Sequence, residues 1–365
     1  MKVAYVDFAS QYATEKVHLL TALDKTLAGG EYILGRQVES FEKGLARLCG
    51  VSQAVGVANG TDALVLVLKA LGIGPGDEVI TAPNSFVASA SCVALTGATP
   101  VFVDVKPDQL LDPTKLEKAL TRRTKAVIPV HLTGKVCDME AIGRFAKAHT
   151  LYVVEDAAQA VGARRHGRRA GSFGDAACLS FHPLKNLNAA GDAGAIVTND
   201  SALAAKLRLL RNHGLKSRNE VAFWGYNSRM DSLQATILLW RLKRLETVVA
   251  QRRRNAELYR KGLTGLVDCP KDEPGCRDVY HLFVIQADRR DELQAFLKKS
   301  GVSTAVHYPV PIHLQAPCAS LGYKKGDFPE CERQSRRILS LPVHQHLRPE
   351  QIQFAVAKIL EFYRA

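Results

Sequence analysis

Leu151-Tyr152-Val153-Val154-Glu155-Asp156-Ala157-Ala158-Gln159 opens as an apolar strand and closes on two carboxylates, small residues and an amide. A short apolar run bounded by polar residues has the form of a strand buried on both faces. Similar runs predict strands over Ala54–Val57, Glu78–Thr81, Thr99–Val103, Ala126–Val130, Ala177–Phe181 and Ala195–Val197. Helical spacing fills several of the gaps, at Asp62–Leu71, Val87–Leu95 and Met139–Ala148. This alternation predicts an α/β fold with a mainly parallel sheet covered by helices on both faces. In open sheets of that kind ligands sit outside the carboxyl ends of the strands, which is where Asp156 stands.

Downstream the texture changes. Leu233, Ile237, Trp240 and Leu245 keep the three/four spacing of one apolar stripe, predicting a long helix after Asp231 that ends near Gly262 and Gly265. A strand over Val279–Gln286, a helix over Glu292–Lys299, a proline-rich loop at His307–His313 and a final helix over Glu350–Tyr363 follow. The expected division is a large domain over 1–245 and a smaller α+β C-terminal lobe over 246–365, with the boundary inside the long helix.

Composition narrows the function classes. At 365 residues, 47% apolar and 23% charged, the chain has an ordinary globular make-up. The eight cysteines form no C-x-x-C pair, which argues against a zinc site or a disulfide framework. No apolar run is long enough for a membrane span, and the Met1–Asp7 stretch has no signal-peptide character, so a cytoplasmic protein is expected. The net charge of +13 invites a nucleic-acid reading. Residues 201–260 hold 13 Lys/Arg against 4 Asp/Glu, spread along helical sequence without a recognition motif. Solvated helix faces, or attraction of an anionic substrate such as a sugar diphosphate, explain that charge better than nucleic acid.

The chemistry lies in a few residues. Lys185 sits in Ser180-Phe181-His182-Pro183-Leu184-Lys185-Asn186, just past the strand Ala177–Phe181. A lysine that can form a Schiff base and an aspartate that can pair with a protonated ring nitrogen are what pyridoxal 5′-phosphate (PLP) requires of a protein. Asn59-Gly60-Thr61 lies between a strand and a helix, where free backbone N–H groups and the Thr61 hydroxyl converge as in phosphate sites, and Ser180 can add a second hydroxyl. Phe86 follows a strand and is placed to stack on a ring. Singly, each residue has an ordinary explanation: a helix cap for Asp156 and for Asn59-Gly60-Thr61, a surface position for Lys185, a core position for Phe86.

Together they fall into a known order. Tyr32-Ile33-Leu34-Gly35, Ala58-Asn59-Gly60-Thr61-Asp62, Val154-Glu155-Asp156-Ala157-Ala158-Gln159, Ser180-Phe181-His182-Pro183-Leu184-Lys185, Gly225-Tyr226-Asn227-Ser228-Arg229 and His307-Tyr308-Pro309-Val310-Pro311-Ile312-His313 resemble the DegT/DnrJ/StrS family of PLP-dependent nucleotide-sugar aminotransferases. The resemblance implies the type I, aspartate-aminotransferase-like PLP fold and a homodimer with composite active sites. It implies that Lys185 forms the Schiff base, Asp156 pairs with the ring nitrogen, Gln159 contacts the phenolic oxygen and Phe86 stacks on the ring. Gly60, Thr61 and Ser180 would hold the phosphate, joined by Asn227 from the neighbouring subunit. Tyr32, His307, Tyr308 and His313 fall at substrate-binding positions.

The implied reaction passes an amino group from L-glutamate to a nucleotide-diphosphate keto sugar. Gly191-Asp192-Ala193-Gly194 and the His307–Pro311 loop look closest to the branch acting at C3 of dTDP-linked 3-keto-6-deoxyhexoses. Amination at C4 is the alternative. Relatives that dehydrate sugars carry His at the lysine position, and a regulatory protein that kept the fold is a further reading. His131-Leu132-Thr133-Gly134 departs from the family in having Thr where many members have Tyr.

Overall fold

The structure, a computed structural model, describes residues 1–364. Its centre is a seven-stranded sheet: β1 (Gln53–Val57), β2 (Glu78–Thr81), β3 (Thr99–Phe102), β4 (Thr124–Ile128), β5 (Tyr152–Asp156), β6 (Ala176–Ser180) and β7 (Gly194–Thr198). The spatial order is β1-β7-β6-β5-β4-β2-β3, and only β7 runs against the rest. Every predicted strand of this sheet is present, displaced by at most two residues at either end.

The long helices are α1 (Phe8–Gly29), α2 (Arg36–Cys49), α3 (Gly60–Ala70), α4 (Ala88–Thr96), α5 (Met139–Ala148), α6 (Ser201–Leu210), α7 (Ser232–Leu242), α8 (Leu245–Leu263), α9 (Arg290–Lys299) and α10 (Pro349–Arg364). Sheet residues alternate between two cores. Ala54, Ile80, Val127 and Val153 join Phe41 and Leu45 of α2 on one face. Val55, Val79, Ala126 and Val154 join Leu64, Leu68 and Val93 of α3 and α4 on the other. A third core gathers Tyr259 and Leu263 of α8, Leu293 and Leu297 of α9, Ile352 and Ile359 of α10, and an antiparallel pair, β8 (Phe283–Gln286) with β9 (Ile338–Leu341).

Two expectations are corrected. The long helix after Asp231 is two helices, α7 and α8, separated at Lys243-Arg244. A tight turn there, with the Arg244 N–H bonded to the Arg241 carbonyl, drops Leu245 and Val249 into the main core. The strand expected over Val279–Gln286 is confined to Phe283–Gln286. Its first residues bond elsewhere: Val279 N–H reaches the Gly134 carbonyl and Leu282 N–H the Thr133 carbonyl. They tie the third core to the loop after β4. Among the described residues no helix is long and apolar enough to cross a membrane.

Candidate active site

Because β1, β2, β4, β5 and β6 run parallel, their carboxyl ends lie along one edge. The segments leaving them carry Gly60-Thr61, Phe86, His131, Asp156-Gln159 and Lys185. Ser180 closes β6 opposite Gly194, and Gly194 in turn faces Val57 of β1. This juxtaposition packs Gly60 on Ser180: a Cβ at Gly60 would lie 2.8 Å from the Ser180 Cβ. A Cβ at Gly194 would lie 2.4 Å from the Asn59 carbonyl carbon, so backbone meets backbone here and only glycine fits. Asn59 caps α3 by accepting the Asp62 N–H at 2.8 Å. The Gly60 and Thr61 N–H groups, at the positive end of that helix, have no partner among the described residues.

Asp156 is buried, with its oxygens fixed on both sides. The Ser89 hydroxyl donates to Oδ2 at 2.8 Å and the Ala158 N–H to Oδ1 at 3.2 Å. Ser89, wholly buried on α4, was not legible as a site residue; a small hydroxyl in Ala88-Ser89-Ala90-Ser91 becomes meaningful only once β5 is beside it. The neighbouring Glu155 takes no place in the cleft. Its two oxygens accept the N–H groups of Gly171, Phe173 and Gly174 at 2.7–2.8 Å and meet His131 Nε2 at 2.8 Å. The Cys137 N–H points at His131 Nδ1, the arrangement of a neutral imidazole donating Nε2–H to a carboxylate.

Lys185 is half-buried, and its amine makes no hydrogen bond or ion pair among the described residues. Burial brings it down to about 8, while the charge of Asp156 works the other way. The loop beneath it is braced. Asn188 donates to the Pro183 carbonyl at 2.7 Å, and Gln11, Glu15 and Arg241 complete a buried network around Asn188. Gln159 is buried and accepts the Thr133 N–H at 2.7 Å, which leaves its NH2 free to donate. Thr133 thus serves through its backbone, and the Thr-for-Tyr departure leaves that contact untouched.

Phe86 is 53% exposed, with its ring 5.8 Å from that of Tyr308. His307 donates or accepts at Ser340 (2.8 Å), and burial, reinforced by the charge of Lys185, pushes its imidazole down to about 4. Tyr308 is raised to about 12 by burial and by Asp156. His313 is different: its ring is buried, 3.1 Å from Glu332 and edge-on to Phe328, so it braces the loop carrying His307 and Tyr308. Tyr32 and Asn227 are exposed and do not line the cleft beside Lys185. Next to Tyr32, Ile33 pairs with Asp231, and next to Asn227, Ser228 donates to the Asp62 carboxylate at 2.6 Å.

The donor set suits one group. A free lysine amine, a buried carboxylate with fixed oxygens, an unpaired amide NH2, an exposed aromatic ring and a glycine-lined helix start match the five parts of PLP. Comparison with known proteins agrees. The profile of the DegT/DnrJ/EryC1/StrS aminotransferase family matches residues 14–360. The chain belongs to this family.

Among its relatives, a protein of Geobacillus stearothermophilus named "pleiotropic regulatory protein" is 46% identical, over 100% of this chain and 99% of that one. The dTDP-3-amino-3,4,6-trideoxy-alpha-D-glucose transaminase of Streptomyces venezuelae is 43% identical, over 96% of this chain and 94% of its own length. The crystal structure of S. venezuelae DesV in complex with a ketimine intermediate superposes with a TM-score of 0.97 at 42% identity, covering 100% of this chain and 99% of that one. Other solved relatives carry PLP or its amino form, PMP. The protein is therefore a PLP-dependent aminotransferase with the type I fold.

Proposed function

We propose that this enzyme transfers the amino group of L-glutamate to C3 of a nucleotide-linked keto-6-deoxyhexose. The observation that carries the reading is the unpartnered amine of Lys185, within electrostatic reach of a buried and doubly anchored Asp156. The choice of C3 rests on relatives named for 3-amino products, such as the S. venezuelae transaminase.

PLP, when bound, supplies an electron-poor ring that accepts the electron pair released at the amino donor's α-carbon. The protein's share is positioning and proton transfer. Asp156, held by Ser89 and the Ala158 N–H, would pair with the ring nitrogen. Gly60, Thr61 and Ser180 would hold the phosphate at the start of α3. Gln159 would donate its free NH2 to the phenolic oxygen, and Phe86 would stack on the ring. Lys185 Nζ takes the proton from the donor's α-carbon and, in the second half-reaction, delivers one to the sugar carbon that receives nitrogen. An amine near pKa 8 can do both at neutral pH. Tyr308 and a neutral His307 border the sugar, while His313 sets their loop. The regulatory reading suggested by one relative's name has no support in the site, since every catalytic group is present.

The working unit in this reading is a cytoplasmic homodimer. Trp224 is 93% exposed, Tyr226, Tyr32 and Ile33 are exposed as well, and α1 shows Phe8, Tyr12, Leu20 and Leu27 to solvent. Apolar surface of that extent calls for a partner, and a second copy would bring Asn227 and Tyr32 to the neighbouring site. The same reading divides the chain into a PLP domain over 1–245 and a lobe over 246–365 built on the third core.

Purified protein should be yellow, lose its visible band with L-glutamate, and regain it with a 3-keto nucleotide sugar. A panel of 3-keto and 4-keto nucleotide sugars, with product position assigned by NMR, decides the ring carbon. Turnover confined to 4-keto substrates would overturn the C3 proposal.

A further inference from the structure

The cleft beside Lys185 holds a group the proposed chemistry has not used. Arg252, on α8, is 93% buried and lines this cleft together with Tyr5, His281, His307 and His344. Its Nη1 donates to the carbonyls of Tyr280 (3.1 Å) and His281 (3.2 Å). The opposite edge of the guanidinium is unused: Nε is buried without a partner, and Nη2 makes no hydrogen bond among the described residues. The Nε and Nη2 hydrogens point the same way, forming the side-on fork that grips a carboxylate through two parallel hydrogen bonds.

The other buried arginines of the fold have their acids. Arg211 meets Glu42 at 2.6 Å and Arg290 meets Asp291 at 2.6 Å. Arg252 has none among the described residues, and burial lowers its affinity for a proton to about 10. A charge out of water without a counter-ion is costly, so it favours an anion that enters the cleft. The surroundings agree. His281 Nδ1 and His344 Nδ1 are also buried without partners, and both rings are held neutral by burial and by nearby positive charge, from Lys185 and Arg252 at His281 and from Arg252 at His344. The one carboxylate lining the cleft, Asp7, is engaged by the Ser10 N–H (2.9 Å) and hydroxyl (2.7 Å) as the cap of α1.

We propose that the Nε/Nη2 edge of Arg252 binds a carboxylate of the amino donor in the cleft that it shares with Lys185. This rests on the L-glutamate reading above and makes the arginine a donor-selecting residue. The nucleotide sugar, which has no carboxylate in the proposed reaction, takes no benefit from it. The anchor and the amine that must reach the donor's α-carbon line one cleft.

The test uses full-length holoenzyme carrying Arg252→Met or Arg252→Lys. The two half-reactions are followed separately by absorbance: L-glutamate with the PLP form, and the keto sugar with the amino form. Binding of glutarate, a dicarboxylate without an amine, is measured by calorimetry, and melting temperature monitors the tie to the Tyr280 and His281 carbonyls. Loss of a buried bidentate pair predicts a fall on the order of a hundredfold in kcat/KM for L-glutamate with Arg252→Met. Arg252→Lys, which keeps the charge but not the fork, should lose about tenfold or more. Glutarate binding should weaken in parallel, and the sugar half-reaction should stay within about threefold of wild type. Equal losses in both half-reactions, or donor kinetics unchanged, would show that the arginine is only a structural tie. If wild-type enzyme ignores L-glutamate, the donor reading fails by itself. Glutarate binding then still decides the arginine, and equal affinity in wild type and variants overturns its role.

Discussion

Replacing Glu155 by Gln removes one negative charge next to Asp156 while keeping shape and volume. In the wild type each carboxylate oxygen has two neighbours: Oε1 accepts the N–H groups of Phe173 and Gly174, and Oε2 accepts that of Gly171 and faces His131 Nε2. Glutamine has one acceptor oxygen, so whichever way it is turned an NH2 points at two donors. Two buried donors are left unpaired, at about 1–3 kcal/mol each, and the remaining bonds lose their charge assistance. The expected destabilisation is about 4 kcal/mol, within the range for breaking a buried charged network. Unfolding entropy near 2.1 cal/mol/K per residue makes that loss roughly 5 °C in melting temperature for a chain of this length.

The same bonds predict an acid limb. Burial opposes ionisation of Glu155, but His131 and the Gly171 and Gly174 N–H groups outweigh it and hold the carboxyl below the usual range. A carboxyl lowered on folding contributes stability above its unfolded pKa, and that contribution is lost as pH falls through the folded one. Wild type should therefore lose melting temperature below about pH 4.3 more steeply than Glu155→Gln, so that the two curves converge in acid. Differential scanning at fixed protein concentration, from about pH 2.5 to 8, is the assay. A variant melting within about 1 °C of wild type at pH 7 would refute the assignment of Glu155 as the clamp of the 171–174 loop.

Three further outcomes follow from the site. Lys185→Ala should abolish turnover in both half-reactions while still binding PMP through the phosphate; measurable multiple turnover would remove Lys185 from the mechanism. Gly60→Val would drive side-chain carbon into Ser180, where even a Cβ comes within 2.8 Å, and should weaken PLP binding on the order of a hundredfold with little change in melting temperature. Equilibrium dialysis of the cofactor measures it, and wild-type affinity would contradict the phosphate cradle. Protein stripped of cofactor should take up PLP faster as pH rises through about 8, because the Lys185 amine, lowered by burial, is the neutral nucleophile only above that value. A rate flat from pH 6.5 to 9 would mean that the amine is not held near pKa 8.

The amino-acid sequence by itself determined the sheet. Strand burial is written locally, in runs such as Val153-Val154 and Ala177-Cys178-Leu179, because a strand covered on both faces must be apolar at successive positions. It also placed Asp156, Lys185 and Gly60-Thr61 at strand ends, where the family resemblance converges. Tertiary structure alone decided what fixes those groups. Ser89 meets Asp156 across 67 residues of chain, and Arg241 meets Glu15 across 226. Nothing in either neighbourhood announces the partner. The turn at Lys243-Arg244 was hidden for the same reason: helical spacing runs straight through it, and only the core that receives Leu245 shows why the helix breaks. Arg252 is the sharpest case. One of three consecutive arginines on a helix reads as solvated charge, and burial without an acid partner becomes visible only when the β8–β9 lobe closes over it.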